Sequence, residues 1–479
     1  MDNSFQMNRL KMAEGGMDRA TSQTESVPGH SSLYSRHSQN HVENMSMEIC
    51  TTMTRLGYGE EMRRWRVEKY REFDRLADTR SKSDAILITA GSKAEGLTCH
   101  LESDKDMLHV LKGVLCVEAG INLHTIQNDL DVFRMDTRVY PGHCRLLQER
   151  PAHIRFEQIH NSLCDNGYGA VLLSSSLFLD EFSALFTQSA EIVAHERAGP
   201  STPATIYGIL HVDRVIALRC HCPTILQRWA ARPRHWPSPL IVQKVVSLGA
   251  YLTPVGFKGS NYKHMEWRMC FNTGETELVN NLNSTQTQVY VMLKMIVKDV
   301  LKPCKKEVTS YVIKNIVLWQ AENNPQHNFY QRSFLYWLHD GLRALKTAIV
   351  TQQLSYYMIP ERNLMAASGL QDKQQRKWVA DITDMMDEGP RVILRLQRIR
   401  QAVIASPEPM LWFSKIRMEL EMLEREKYIR AVQCSDEHDA IEQEIRRRQV
   451  EIMRDVAQRM LIDGSAVNDL NDIFFRILM

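Results

Sequence analysis

The apolar run AILITA, residues 85–90, stops at Gly91-Ser92-Lys93-Ala94-Glu95-Gly96-Leu97, and Glu102-Ser103-Asp104-Lys105-Asp106-Met107 follows closely. A short apolar run ended by glycine reads as a buried strand running into a turn. Glycine has no Cβ, so backbone N–H groups at Gly91 and Ser92 can approach a phosphate. If Asp104 to Asp106 is strand, the two carboxylates share one face, with Cα atoms roughly 6.6 Å apart. Lys105 then turns to the opposite face. Two bare carboxylates so placed repel each other, and a divalent cation relieves the repulsion. A hard cation that also takes phosphate oxygens is Mg²⁺ or Mn²⁺. A phosphate loop beside a metal-holding strand is the logic of nucleotidyl transfer. Each piece also has a plainer reading, since Gly-Ser is a common turn and Asp-x-Asp a common solvated edge.

Composition allows a real core and two or three domains in 479 residues, with 44% hydrophobic and 24% charged residues. A net charge of +2 means that any nucleic-acid surface must be local. No apolar run reaches the length of a membrane span, and the N-terminus lacks a charged-then-apolar signal pattern. Ten scattered cysteines fit reduced thiols in a cytoplasmic protein.

Residues 1–45 are rich in Ser, Gln, Asn, His and Met without a period, and are expected to form a disordered tail. Helical spacing then brings Met62, Trp65, Tyr70, Phe73 and Leu76 to one face. Arg63, Arg64, Arg66, Lys69 and Arg71, interleaved with Glu60, Glu61, Glu68 and Glu72, are expected on the outer one. Turns are expected at Pro141-Gly142 and Asn166-Gly167, and strands at residues 170–173 and 207–218. Asp213 stands inside the last of these, and a carboxylate within an apolar strand is costly unless it meets a cation or hydrogen bonds. Arg228, Arg232 and Arg234 lie among Trp229 and Trp236. That mixture is compatible with nucleic acid, with a phosphate, or with stacking on the core. Cys220-His221-Cys222 does not make a zinc site, because three adjacent ligands cannot close a tetrahedron without further donors. After residue 285 the pattern is helical, with Val289, Met292, Leu293, Ile296 and Val300 forming an amphipathic helix ended by Pro303. Residues 410–462 predict two charged helices carrying Ile416, Leu420 and Leu423, then Ile441, Ile445, Ile452 and Val456. Arg446-Arg447-Arg448 reads first as a solvated helix face.

These residues carry a resemblance. The Gly-Ser turn, the two acids and Asp213 occur in order with His211-Val212-Asp213-Arg214-Val215, Trp236-Pro237-Ser238, Glu266-Trp267-Arg268, Ser310-Tyr311-Val312-Ile313-Lys314 and Ile359-Pro360-Glu361-Arg362-Asn363-Leu364. Over roughly residues 46–370 the chain resembles the Mab-21-like nucleotidyltransferases, which include cyclic GMP-AMP synthase and its animal relatives. The resemblance implies an α/β nucleotidyltransferase lobe with a mixed sheet, residues 46–285, and an all-helical lobe, residues 286–400, with a nucleotide cleft between them. A charged helical extension, residues 401–479, lies outside it. It further implies Asp104, Asp106 and Asp213 as catalytic metal ligands, with Gly91 and Ser92 on the triphosphate. Lys294 and Ser310 match residues at the donor phosphates, Tyr311 an aromatic that stacks on a base, and Arg268 and Glu275 residues near the acceptor base. The implied function is a Mg²⁺- or Mn²⁺-dependent synthase joining ATP- or GTP-type nucleoside triphosphates into a cyclic dinucleotide in innate immune signalling. Its activator would be double-stranded RNA or another ligand. The alternative is a catalytically silent family member that acts through interactions.

The resemblance has departures. Cys270 stands where the vertebrate synthase has serine. No Cys or His follows Cys270 before Lys294, so the zinc thumb that reads DNA is missing and no structural zinc is expected.

Overall fold

The computed structural model describes residues 32–81, 83–152, 156–165, 167, 169–183, 192–206, 208–303, 307–434, 439–464 and 469–478. The first 31 residues of the expected tail, Asn166 of the expected turn and Tyr207 of the expected strand lie outside the described residues.

Among the described residues, eleven strands form one sheet: β1 (Ala85–Ala90), β2 (Lys105–Val117), β3 (Asp131–Asp136), β4 (His143–Arg150), β5 (Leu163–Asp165), β6 (Val171–Leu173), β7 (Ile192–Ala194), β8 (Ser201–Ile206), β9 (Leu210–His221), β10 (Ala250–Thr253) and β11 (Glu266–Cys270). The pairing is mixed: β2 lies parallel to β3 and β9, and the other pairs are antiparallel. The ladder β2-β3-β4-β11-β10-β9 returns to β2, so the sheet closes on itself around the buried β2–β9 pair. The middle of the pair is apolar, with Leu108, Val110 and Leu111 of β2 beside Ile216, Ala217 and Leu218 of β9 buried, while the ends carry Lys105, Asp106, Asp213 and Arg214.

Helices Ser284–Met295, Ser310–Asn323, Phe334–Thr351 and Asp372–Glu388 build the second lobe. Asn283 and Gln286 cap the first of them reciprocally. This helix, expected to be amphipathic, is buried almost all round, because its sister helices and the N-terminal helix Gln39–Met53 pack around it. One apolar core, from Leu33 and Val42 through Trp267 to Trp378, joins both lobes.

Two boundaries differ from expectation. Within the segment assigned to the tail, Ser32–Arg36 is helical with Leu33 buried, and residues 39–45 begin the helix Gln39–Met53, whose Val42, Ile49 and Met53 are buried. The polar composition of this segment hid the few apolar anchors that fold it. The face of the helix Glu60–Arg80 assigned to solvent is also partly closed, since Arg63 and Arg66 are buried. Arg63 packs on the end of the helix Asn272–Asn280, donating to Val279 O and Asn280 O at 3.4 Å, and Arg66 is covered by the extension. Its helix Met410–Gln433 lies against Glu60–Arg80, and Glu421 takes the Arg66 guanidinium in a two-pronged pair, Nε–Oε1 2.8 Å and Nη2–Oε2 2.7 Å. Helices Met410–Gln433, Ala440–Ile462 and Leu470–Leu478 share a small core of Ile416, Leu420, Ile452, Val456, Ile473 and Leu478. Ile441, expected in that stripe, is exposed. No helix among the described residues is long and apolar enough to cross a membrane.

Candidate active site

Strand register builds the site. Ala90, the last residue of β1, stands opposite Asp106, and Asp106 stands opposite Asp213 of β9. The chain leaving β1 therefore folds directly over the Asp106 carboxylate. Gly91 makes that turn at φ +63°, and a Cβ there would sit 2.1 Å from Asp106 Oδ2. The glycine is thus required by the carboxylate beneath it, beyond any approach to phosphate. Asp104 lies one residue before β2 and is exposed, so the acidic pair straddles the strand start instead of sharing it. Burial, then the charges of Asp213 and Asp104, pushes the Asp106 carboxyl up to about 7. Asp213 accepts a hydrogen bond from Ser201 Oγ at 3.1 Å.

This donor set suits a hard divalent cation. Three carboxylates repel one another in one corner, and a cation would remove the repulsion. Among the described residues, no three His, Cys, Asp or Glu side chains are gathered tightly enough to hold an ion as they stand. The exposed Asp104 side chain would have to close in. Lys105, between the acids, points the other way as expected: its ammonium lies 3.9 Å from the Phe73 ring centre and 6.0 Å from that of Tyr70.

Ser92 sits in the short helical turn Gly91–Ala94, and its Oγ accepts a hydrogen bond from Lys294 Nζ across the lobes. Ser92 and Ser310 divide two cavities. One, of about 250 Å³, is lined by Gly91, Asp106, Glu275, Tyr311 and Lys314. The other, of about 510 Å³, is lined by Thr98, Ser103, Lys294, Lys298 and Lys302. An acidic cavity beside a lysine-lined one matches what a metal-bound polyphosphate needs. Lys298 and Lys302 carried no sequence assignment, although their spacing from Lys294 was a readable signal.

Glu275 and Tyr311 stand together. Tyr311 OH and Tyr356 OH donate to Glu275 Oε1 at 2.8 and 2.6 Å, and Lys314 Nζ lies 3.1 Å from Oε2. Lys314 also lies 2.6 Å from Glu95 Oε1. Despite burial, the Lys314 charge and these hydroxyls hold the Glu275 carboxyl below its usual range. Glu275 therefore fixes Tyr311 and closes the floor, with its oxygens already engaged. Arg268 on β11 lies near Cys270, Tyr311 and Tyr356. Glu95 and Lys314 were missed as a pair because 219 positions separate them.

The arginines among the tryptophans resolve to stacking. Arg232 lies 4.6 Å from the Trp319 ring centre and pairs with Glu322 at 2.9 Å, and Arg234 lies 4.5 Å from the Trp229 ring centre. Arg228 is exposed and faces Glu361 at 3.5 Å. Cys220 and Cys222 sit beside Cys116 and Cys144, and burial pushes the Cys116 and Cys144 thiols up.

Two family models match the chain: the Mab-21 protein nucleotidyltransferase domain over residues 117–281 and the Mab-21 protein HhH/H2TH-like domain over residues 285–384. The chain belongs to the Mab-21 family. The matched Mab-21 segments contain Asp213, Arg268, Glu275, Lys294, Ser310 and Tyr311. They begin after Gly91, Ser92, Asp104 and Asp106 and end before the extension. Of those four residues, the β1–β2–β9 register places Asp106, and the turn that follows β1 places Gly91 and Ser92 beside it.

Proposed function

We propose that this Mab-21 protein transfers nucleotidyl groups between nucleoside triphosphates with the help of Mg²⁺ or Mn²⁺, giving a cyclic dinucleotide. The observation that carries the reading is the pairing of Asp106 with Asp213 beneath the Gly91-Ser92 turn. Asp104, Asp106 and Asp213 would hold the ions. The chemistry that ions held there would supply is a lowered pKa for an attacking hydroxyl and neutralisation of the departing pyrophosphate. Ser92, Lys294, Lys298 and Lys302 would hold and orient the triphosphate. Tyr311, braced by Glu275, offers a ring for one base.

A second reading, nucleotide binding without turnover, is favoured by the carboxylates not yet gathered around one point. Incubation of the purified protein with all four NTPs, Mg²⁺ or Mn²⁺, and panels of double-stranded RNA and DNA separates the two. Pyrophosphate release with a dinucleotide product is expected. A protein that melts higher with nucleotide and Mg²⁺ but never releases pyrophosphate belongs to the second reading.

A further inference from the structure

The extension meets the segment between Ser92 and Asp104 through buried charges that do not balance. The buried Arg66, Lys93, Arg417 and Arg425 and the half-buried Arg398 gather around two carboxylates, the buried Glu421 and the largely enclosed Glu102. Glu102 is already well engaged: it accepts from Tyr58 OH at 2.6 Å, Arg398 Nη1 at 2.7 Å and Cys99 N at 2.9 Å. Arg417 Nη2 is left 3.9 Å from it. Arg417 Nη1 donates to Leu56 O at 3.2 Å, while its Nε is buried without a hydrogen-bond partner. Ser414 Oγ, one turn earlier on the same helix, is also buried without one.

Both side chains line a cavity of about 490 Å³, within the size range of roughly 300–1,000 Å³ usual for small-ligand sites. Leu56, Phe413, Val456, Met460 and Ile473 form its apolar walls. Its charged lining is Arg398, Arg417 and Arg476 against Asp463, with Arg476 paired to Asp472 at 2.8 Å. A buried guanidinium short of partners, beside an unbonded hydroxyl and apolar walls, is costly when empty and suited to an anionic head on an apolar tail.

We propose that this cavity binds a small amphipathic anion, a carboxylate or phosphate monoester on an alkyl chain, with its head at Arg417 and Ser414. Such a head competes with Glu102 for Arg417, and Glu102 lies two residues before Asp104. The occupant is thereby coupled to the turn that carries the candidate active site. That coupling takes its meaning from the proposed nucleotidyl transfer, but the binding itself does not depend on it.

The test uses the full chain and no nucleotide. Calorimetric titration with decanoate, decyl phosphate and decanol should show both anions binding at least tenfold more tightly than the alcohol. The tighter of the two anions identifies the head group. Arg417→Gln should weaken the anions tenfold or more. Ala405→Phe, which fills the cavity from a half-exposed wall position, should abolish binding with the melting temperature kept. Amide exchange over residues 93–104 should change on anion binding. Equal binding of decanol and decanoate overturns the anion site, as does unchanged binding in Ala405→Phe. Unaltered exchange over residues 93–104 overturns the coupling. If Arg417→Gln fails to fold, the alcohol comparison and Ala405→Phe still decide.

Discussion

The site holds two groups of charges a few residues apart, and they are treated oppositely. In the hub, Lys314 lies between Glu95 and Glu275, and two tyrosine hydroxyls complete the Glu275 shell. In the corner, Asp106 faces Asp213 with Asp104 nearby and with Ser201 the hydroxyl on Asp213. The outcomes are opposite: Glu275, though the more deeply buried, has its carboxyl held low, and the Asp106 carboxyl is pushed up to about 7. Charges that serve the fold are paired within the fold. Like charges left together store repulsion that an external cation can release.

Breaking the hub should cost the most. Lys314→Met leaves Glu95 and Glu275 buried without their cation, and removal of one partner of a buried pair typically costs about 3–5 kcal/mol. Urea unfolding should show that loss, and a stability within about 1 kcal/mol of wild type would put the hub in the same class as the corner.

Asp106→Asn should do the reverse. Stability of the metal-free protein should hold or rise, because a repelling charge is removed. Nucleotidyl transfer should fall by a hundredfold or more, about 2.7 kcal/mol or greater in transition-state stabilisation. Parallel melting curves and pyrophosphate assays check both halves, and full activity in the variant would move the chemistry elsewhere.

The corner also predicts a pH signature. Asp106 titrates near 7 in the folded chain and near 3.8 when unfolded, so the folded state holds the extra proton between those values. Its contribution therefore falls as pH rises from about 4 through about 7. A divalent cation competes with that proton, so Mg²⁺ should raise the melting temperature more at pH 8 than at pH 5.5. Melting scans over this range should lose the effect in Asp106→Asn.

The smallest effect sharpens the hub. Tyr311→Phe keeps the ring but removes one of three donors to Glu275, at a cost of about 1–2 kcal/mol in stability. Nucleotide affinity should change little, since stacking needs only the ring. A large loss of affinity would mean that the hydroxyl itself touches the ligand.

Much of this was legible in the chain. The apolar run before Gly91-Ser92 became β1, the strand around Asp213 became β9, and the two charged helices formed close to their expected limits. Arg446, Arg447 and Arg448 pair with Glu442, Glu444, Glu451 and Glu419, as a solvated face would. Two features depended on partners far along the chain. Arg66 read as exposed because its cover, Glu421, lies 355 positions away. Glu275 also meets Tyr311, Lys314 and Tyr356, and nothing local in the sequence shows that these three distant groups engage it.

The sequence by itself determined the elements, since hydrophobic period, glycine turns and caps act within a few residues. It also determined which acids and lysines were available to meet. The tertiary structure alone decided which of them do meet. Register across β1, β2 and β9 placed Gly91, Asp106 and Asp213 together, and packing between lobes brought Lys294 to Ser92. Docking of the extension turned a charged surface helix into a buried interface. Each of these is a long-range choice among many pairings of similar local cost, and only the simultaneous burial of the shared core selects one.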